Sequence, residues 1–370
     1  LPRLRRERPL RASVRPRTES ELRVAAIWQE LLGTDSVGVT DDFFASGGHS
    51  LLAARLVARV EAEFGVSISI ASVFRDPTIA GLARLVTSPC PDARPSSLVP
   101  LRAAGTNTPL FLVHGLSGSV LPYLPLARQV NGDRPVFGIR ARGLERDETP
   151  HRSIEAMAAE YVDAVRGQFP TGPYLLAGWS MGGVIALEMA AQLSAVGADV
   201  KLVALLDSVP TLPPSVVDST AGGREALRKL VDPLGIDDLP DDDDTAFWSL
   251  PLEDQLELFE ARLRQRTLQQ PRLTTALRSL EVVRANLAAI HTHRRSSYSG
   301  SMVVIGTEVT TALIGDAALG WHSAGFDRVS VHTVSGDHDS ILRHSNSVTL
   351  ARLLDRLMVD AAVPSAASVV

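Results

Sequence analysis

The stretch PYLLAGWSMGGVIALEMAAQLSAVG, residues 173–197, changes character at its middle. Tyr174 to Trp179 is a short apolar run that reads as a buried strand, and the residues from Met181 onward read as a helix. Between them Gly178, Ser180 and Gly182 fit the spacing G-x-S-x-G. A bare G-x-S-x-G is common by chance. Set between a strand and a helix, it describes a tight turn that lifts a serine hydroxyl clear of a sheet, with helix N–H groups aimed at a carbonyl under attack. Gly183 adds a further small residue behind the turn.

A serine of ordinary pKa is a poor nucleophile and needs a base, itself oriented by an acid. In sheets of this kind the chain order is serine, acid, histidine. The acid is expected to end the strand after the elbow helix. There LVALLDS supplies Asp207 as the first polar residue after an apolar run, whereas Asp199 lies before that strand, at the wrong edge. The histidine is expected past the last strand. In RVSVHTVSGDHDSIL, His332 falls inside an alternating strand and His338 follows the turn SGD. His338 is the expected base and His344 the fallback; His291, His293 and His322 fall in the wrong elements. An oxyanion hole needs two N–H groups. One is expected from Met181, directly after Ser180. The other is expected from Leu116 in the turn HGLSG, with Gly115 and Ser117 as neighbours. His114 stands at that turn as a residue that shapes it rather than as a base.

Outward from this centre, strands and helices alternate. PLFLVHG, PVFGIRARG, PYLLAGWS and DVKLVALLDS read as strands, with YLPLARQV, SIEAMAAEYVDAVRGQF and the elbow helix between them. Such alternation implies a mostly parallel sheet in an α/β fold. From Ser208 to about 299 it stops. A proline-rich loop, a helical stretch ending near Pro233, the acidic tract DDLPDDDD and two further helices, at about 251–266 and 272–293, precede GSMVVIGTEVT, where the sheet resumes. An all-helical insertion at this place reads as a lid over the serine.

The first part of the chain is different. TESELRVAAIWQELLG carries a capping-box pattern at Thr18 and Glu21 and ends at Gly33. A loop leads to a second helix from about Ser50 to Phe64. SISIASVFRD reads as a short extended piece and a turn, and Pro77 as the start of a last helix. This is a small helical bundle, net acidic, and its only histidine, His49, leaves no catalytic set within it.

Composition excludes several classes. The chain has 370 residues, enough for two domains, with a net charge of −5 that names no polyanionic partner. Cys90 is its single cysteine, so there is no disulfide framework, and nothing near it would make it a reactive thiol. No stretch is long and apolar enough to span a bilayer. The arm before Thr18 holds seven Arg but also three Pro, and reads as a linker rather than a nucleic-acid site. Beginning at Leu1 without Met, it is expected to be the tail of something longer.

DDFFASGGHSLLAARLVARV, residues 41–60, resembles the core motif of peptidyl carrier proteins in nonribosomal peptide synthetases, D-x-F-F-x-x-G-G-H/D-S-L. In that family the serine, here Ser50, is the attachment point of a phosphopantetheine arm, which explains a hydroxyl at a helix mouth with no base beside it. FLVHGLSGS, VFGIRARGL, YLLAGWSMGG, LLDS and SGDH resemble, in order, the type I thioesterase domain that ends many synthetases. Together the two resemblances cover nearly the whole chain. They imply a four-helix carrier bundle followed by an α/β-hydrolase fold with a helical lid insertion. The boundaries expected are a linker from an adenylation domain at 1–17, the carrier at 18–87, a linker at 88–99, the thioesterase at 100–362 with its lid at about 208–299, and a tail at 363–370. The implied cofactor is 4′-phosphopantetheine on Ser50, and no metal is expected. The implied partners are a phosphopantetheinyl transferase, upstream condensation and adenylation domains, and a peptidyl thioester, in the cytoplasm, with no nucleic acid and no membrane. Ser180 would take the peptide as an acyl-enzyme and release it by hydrolysis or macrocyclisation. A free-standing esterase or lipase leaves GGHSLL unexplained, and an inert docking module leaves Ser180, Asp207 and His338 unexplained.

Overall fold

A computed structural model describes residues 14–48, 50–66, 68, 70–87, 96–145, 147–211, 227–228, 239–241, 244–265, 271–294 and 297–362. The chain divides into two compact units, Leu1–Arg94 and Pro95–Val370.

The first unit is helical. α1 (Glu19–Leu32) opens with the expected capping box, Thr18 accepting from the Glu21 N–H and Glu21 reaching back, and Gly33 ends it in the left-handed conformation at φ 63°. α2 (Ser50–Phe64), α3 (Ile70–Arg75) and α4 (Ile79–Thr87) follow. Val24, Ile27, Trp28, Phe43, Leu56, Val60 and Leu82 lie in one apolar cluster, with the Trp28 and Phe43 rings edge-on at 5.0 Å. Two local readings change. SISIASVFRD holds a helix, α3, where an extended piece was expected; six residues are too few for helical periodicity to show against an alternating S-I-S-I start. Thr78 rather than Pro77 caps α4, its hydroxyl accepting from the Gly81 N–H at 2.9 Å.

The second unit is built on a seven-stranded sheet. Its strands are β1 (Leu98–Arg102), β2 (Leu110–Val113), β3 (Val136–Ile139), β4 (Tyr174–Trp179), β5 (Val200–Leu206), β6 (Met302–Thr307) and β7 (Val329–Val334), in the order β1-β3-β2-β4-β5-β6-β7. β1 runs antiparallel to β3 and every other pairing is parallel. Among the described residues its helices are α5 (Leu124–Gln129), α6 (Ile154–Gln168), α7 (Met181–Ala195), α8 (Thr245–Trp248), α9 (Leu252–Arg264), α10 (Pro271–Thr292), α11 (Glu308–Ile314) and α12 (His344–Ala362). α6 and α7 pack together as one layer, α5 and α12 as another. Phe111, Val113, Leu176, Val203 and Leu205 join the α6–α7 cluster. The alternate residues Leu110, Leu112, Leu175, Leu202 and Ala204 are buried too, as a parallel sheet covered on both faces requires. This mixed sheet, with the serine turn at the end of a central strand, has the architecture of an α/β-hydrolase.

Three differences from the sequence reading concern edges and short pieces. β1 starts at Leu98, so a boundary at 100 falls inside the first strand. EVT does not prolong β6 but starts α11, capped by Thr307. The short α8, capped by Asp244, was not anticipated. Between β5 and β6 the described residues are mainly α8, α9 and α10, which share a cluster of Trp248, Leu256, Phe259, Leu280 and Leu287. Cys90, His49, most of the basic arm, half of the acidic tract, the helical stretch expected near Pro233 apart from residues 227–228, which are helical, and the tail at 363–370 lie outside the described residues.

Candidate active site

Ser180 sits at φ 57° and ψ −130°, a conformation disfavoured for a residue with a Cβ. The turn that holds it has no spare room. A Cβ at Gly178 would lie 2.0 Å from the Gly182 carbonyl oxygen, and one at Gly182 would lie 2.3 Å from that of Val113. The Ser180 N–H donates to the Leu206 carbonyl at 3.0 Å, tying the turn to the end of β5. Tyr123 ties it to β2: its phenol donates to the Val113 carbonyl at 2.6 Å and accepts from the Trp179 N–H at 2.7 Å. Burial pushes that phenol far above its usual range, which keeps it protonated.

Asp207 lies one residue past β5, its side chain fully buried. One carboxylate oxygen accepts from the Thr307 N–H at 2.7 Å. The other accepts from the Thr310 hydroxyl and from His338 Nδ1, each at 2.7 Å. Burial works to raise the carboxyl pKa, but the bonds from His338, Thr310 and Thr307 outweigh it and hold the group below the usual carboxylate range. Thr307 donates its hydroxyl to Thr310 at 2.9 Å, completing a relay from the start of α11 to the carboxylate. With Nδ1 donating to Asp207, the neutral His338 ring presents Nε2 as an acceptor.

His338 stands on the loop after β7 and is 42% exposed, so its outer nitrogen is accessible. Trp179, the residue before Ser180, holds the loop. Its indole N–H donates to the His338 carbonyl at 2.9 Å, and the two rings lie 5.0 Å apart. Among the described residues Ser180 and His338 share no direct hydrogen bond; Trp179 links them. Such bonds commonly tighten only when substrate is present. His332 lies in β7, His291 and His293 contact Glu253 and Glu155, and His322 meets the Phe326 carbonyl. His344 opens α12.

Met181 is the first residue of α7, where backbone N–H groups lack helical partners. Leu116 occupies the turn after β2. The Gly115 carbonyl accepts from the Gly118 N–H at 3.0 Å and lies 2.7 Å from His114 Nδ1. His114 is wholly buried and its Nε2 meets the Tyr161 hydroxyl at 2.8 Å. Burial pushes its pKa down to about 4, so it is neutral near pH 7 and shapes the turn.

In the first unit, Gly47 takes φ 107° and α2 begins at Ser50. A Cβ at Gly48 would strike the Phe43 ring at 2.4 Å, so a bare backbone leads into the helix. The first turn of α2 carries no acidic residue. The backbone N–H groups that open this fifteen-residue helix favour an anion nearby.

The thioesterase domain model matches residues 108–358, and the phosphopantetheine attachment site model matches residues 23–86. The chain belongs to the thioesterase family. Its first unit carries the phosphopantetheine attachment site, so this is a carrier–thioesterase didomain. Over 196 residues it is 40% identical to a dimodular nonribosomal peptide synthase of Bacillus subtilis (strain 168), a match covering 53% of this chain and 8% of that one. It resembles the crystal structure of holo-AB3403, a four-domain nonribosomal peptide synthetase bound to AMP and glycine. The TM-score is 0.61 at 26% identity, over 98% of this chain and 27% of that one. It also resembles the NocB thioesterase domain of the nocardicin cluster, with a TM-score of 0.50 at 26% identity, over 69% of this chain and 95% of that domain. The didomain thus spans a small part of the synthetases it matches.

Several residues that shape this thioesterase site were not found from the sequence. Thr307 and Thr310 gave a signal only as a Thr-x-x-Thr spacing after an apolar run. Tyr123 and Trp179 sit inside runs that read as helix and strand, and nothing in the sequence marks them as ties within the site. Asn286 lies in α10 and gave no signal.

Proposed function

We propose that this didomain releases a peptide from a nonribosomal peptide synthetase by way of an acyl-enzyme on Ser180. The observation that carries the reading is the Asp207–His338 hydrogen bond of 2.7 Å, made beside a serine held at φ 57°. Asp207 orients His338 and stabilises its charged form; His338 accepts the proton of Ser180 through Nε2. Ser180 Oγ bonds to the thioester carbonyl carbon, and the negative oxygen is met by the N–H groups of Met181 and Leu116. The carbon–sulfur bond then breaks and His338 returns the proton to the departing sulfur. In the second half, water or an amine or hydroxyl of the peptide gives its proton to His338 and attacks the ester. The ester bond to Ser180 breaks, and the serine recovers its proton.

Ser50 is the proposed attachment residue of the phosphopantetheine, which when bound supplies a terminal thiol that holds the peptide as a thioester. A phosphopantetheinyl transferase would load it, and condensation and adenylation domains would act upstream. The unit boundaries proposed are 18–87 for the carrier and about 98–362 for the thioesterase. The insertion of α8, α9 and α10 is proposed as the lid that excludes water and sets the balance between hydrolysis and macrocyclisation. Among the described residues no helix is long and apolar enough to cross a membrane.

The test is labelling with a fluorophosphonate and digestion to peptides. The label is expected on Ser180 and absent from Ser180→Ala. An unlabelled wild-type protein would instead support the inert docking module.

A further inference from the structure

The inserted helix α10 touches the turn after β2 directly. Asn286, buried, donates from Nδ2 to the Leu116 carbonyl at 2.8 Å. One turn earlier Val282, also buried, lies so close to the same turn that a Cβ at Gly118 would come within 2.7 Å of it. One turn later Ala289 and Ile290 enter the main core under the sheet. Residues 282, 286 and 289–290 form one face of the helix. Leu116 packs against both the main core and the cluster of the insertion. α10 therefore meets the turn over two successive helical turns, at Val282 and Asn286, and its next turn is anchored in the main core.

Peptide geometry gives this contact a function. A trans amide is planar, so its N–H points opposite to its C=O. The Gly115–Leu116 amide is held through its carbonyl by the Gly118 N–H and His114. The Leu116–Ser117 amide is held through its carbonyl by Asn286. The two planes meet at the Leu116 Cα, and fixing both removes the rotations that would let the Leu116 N–H swing away from an oxyanion. Without Asn286 the second plane loses its hydrogen bond, and the Leu116 N–H is then held only through the Gly115 carbonyl, by the Gly118 N–H and His114.

We infer that Asn286 is a positioning residue for the oxyanion hole: through it the insertion aligns the Leu116 N–H for acyl transfer. The inference rests on the Ser180 acyl-enzyme reading. Both half-reactions pass through an oxyanion at the same place, so loss of Asn286 slows both and leaves ground-state binding of the peptide unchanged.

Asn286→Leu keeps the branched outline, with a larger side chain, and removes the donor; Asn286→Asp preserves shape and sets an acceptor against the carbonyl. Each is assayed in the whole didomain with a soluble peptidyl thioester, with Ser180→Ala as control. The expected result is a fall in kcat of about ten- to a hundredfold in both, with KM within about twofold. Affinity for a peptide boronic acid, which forms a tetrahedral adduct on Ser180, should fall by the same factor. Asn286→Gln, which restores a donor one methylene further out, should recover part of the loss. The two substitutions load the fold differently, so whichever keeps the wild-type Tm decides the matter. Wild-type kcat in that variant, or a raised KM with kcat unchanged, overturns the inference while leaving the nucleophile assignment standing. Turnover retained by Ser180→Ala would instead overturn the reading beneath it.

Discussion

The Asp207 carboxylate accepts from three donors, and each has a different origin: backbone at Thr307, hydroxyl at Thr310, imidazole at His338. Asp207→Asn replaces an acceptor with an amide that cannot serve all three, and kcat should fall by roughly 10⁴ through loss of the productive His338 tautomer. Thr310→Val removes one charge-assisted bond, worth about 1.5–3 kcal/mol. The expected loss in kcat is about tenfold or more, and Thr310→Ser should recover most of it. An unchanged kcat in Thr310→Val would mean the relay is structural only. The pairing of Asp207 with His338 could be anticipated from the sequence because Asp207 follows an apolar strand and His338 follows the turn after an alternating one. Thr310 could not, because its hydroxyl reaches the carboxylate only once α11 turns back across the end of β6. His114 makes a separate, pH-dependent contribution. Folded, it titrates at about 4; unfolded, at about 6.5. Between those values the unfolded chain binds a proton that the folded chain refuses, so stability is complete above about pH 6.5 and falls as the pH drops toward 4. The fall is at most about 3 kcal/mol. Urea unfolding of wild type and His114→Gln at pH 7 and pH 4.5 should show that pH dependence in the wild type and a much smaller one in the variant.

Among the elements, β4, the serine turn and α7 act as one piece, stapled to β2 by Tyr123 and by the close approach of Gly182 to the Val113 and His114 carbonyls. Gly182→Ala sets a methyl against backbone that cannot yield. It should destabilise the unit by about 1–3 kcal/mol and impair the turn with it. Tyr123→Phe deletes the shared hydroxyl, leaving the Trp179 N–H and the Val113 carbonyl without it, at a cost of about 1–3 kcal/mol. A Tm equal to wild type in both would contradict the staple. The central strands were legible as apolar runs because a sheet covered on both faces buries every residue. β1 was not, since it is a half-buried edge strand interrupted by Pro100; α3, α8 and α11 were not, since helices this short carry too few residues for a period to emerge. Whether α10 rests on the turn after β2 could not be read either, since that depends on a contact 170 residues apart in sequence.

For the whole molecule, the proposed roles are loading at Ser50 and release at Ser180, and the two functions separate by substitution. Ser50→Ala should abolish modification by coenzyme A and a phosphopantetheinyl transferase while turnover of a soluble thioester persists. Ser180→Ala should do the reverse. The most direct test is a single-turnover experiment on the arm-loaded didomain, quenched in time and mapped by peptide mass. The acyl mass is expected to leave the Ser50 peptide, appear transiently on the Ser180 peptide and then depart as product, and in Ser180→Ala to stay on the Ser50 peptide. Product released by Ser180→Ala at the wild-type rate, or acyl mass on any other residue, would contradict these roles.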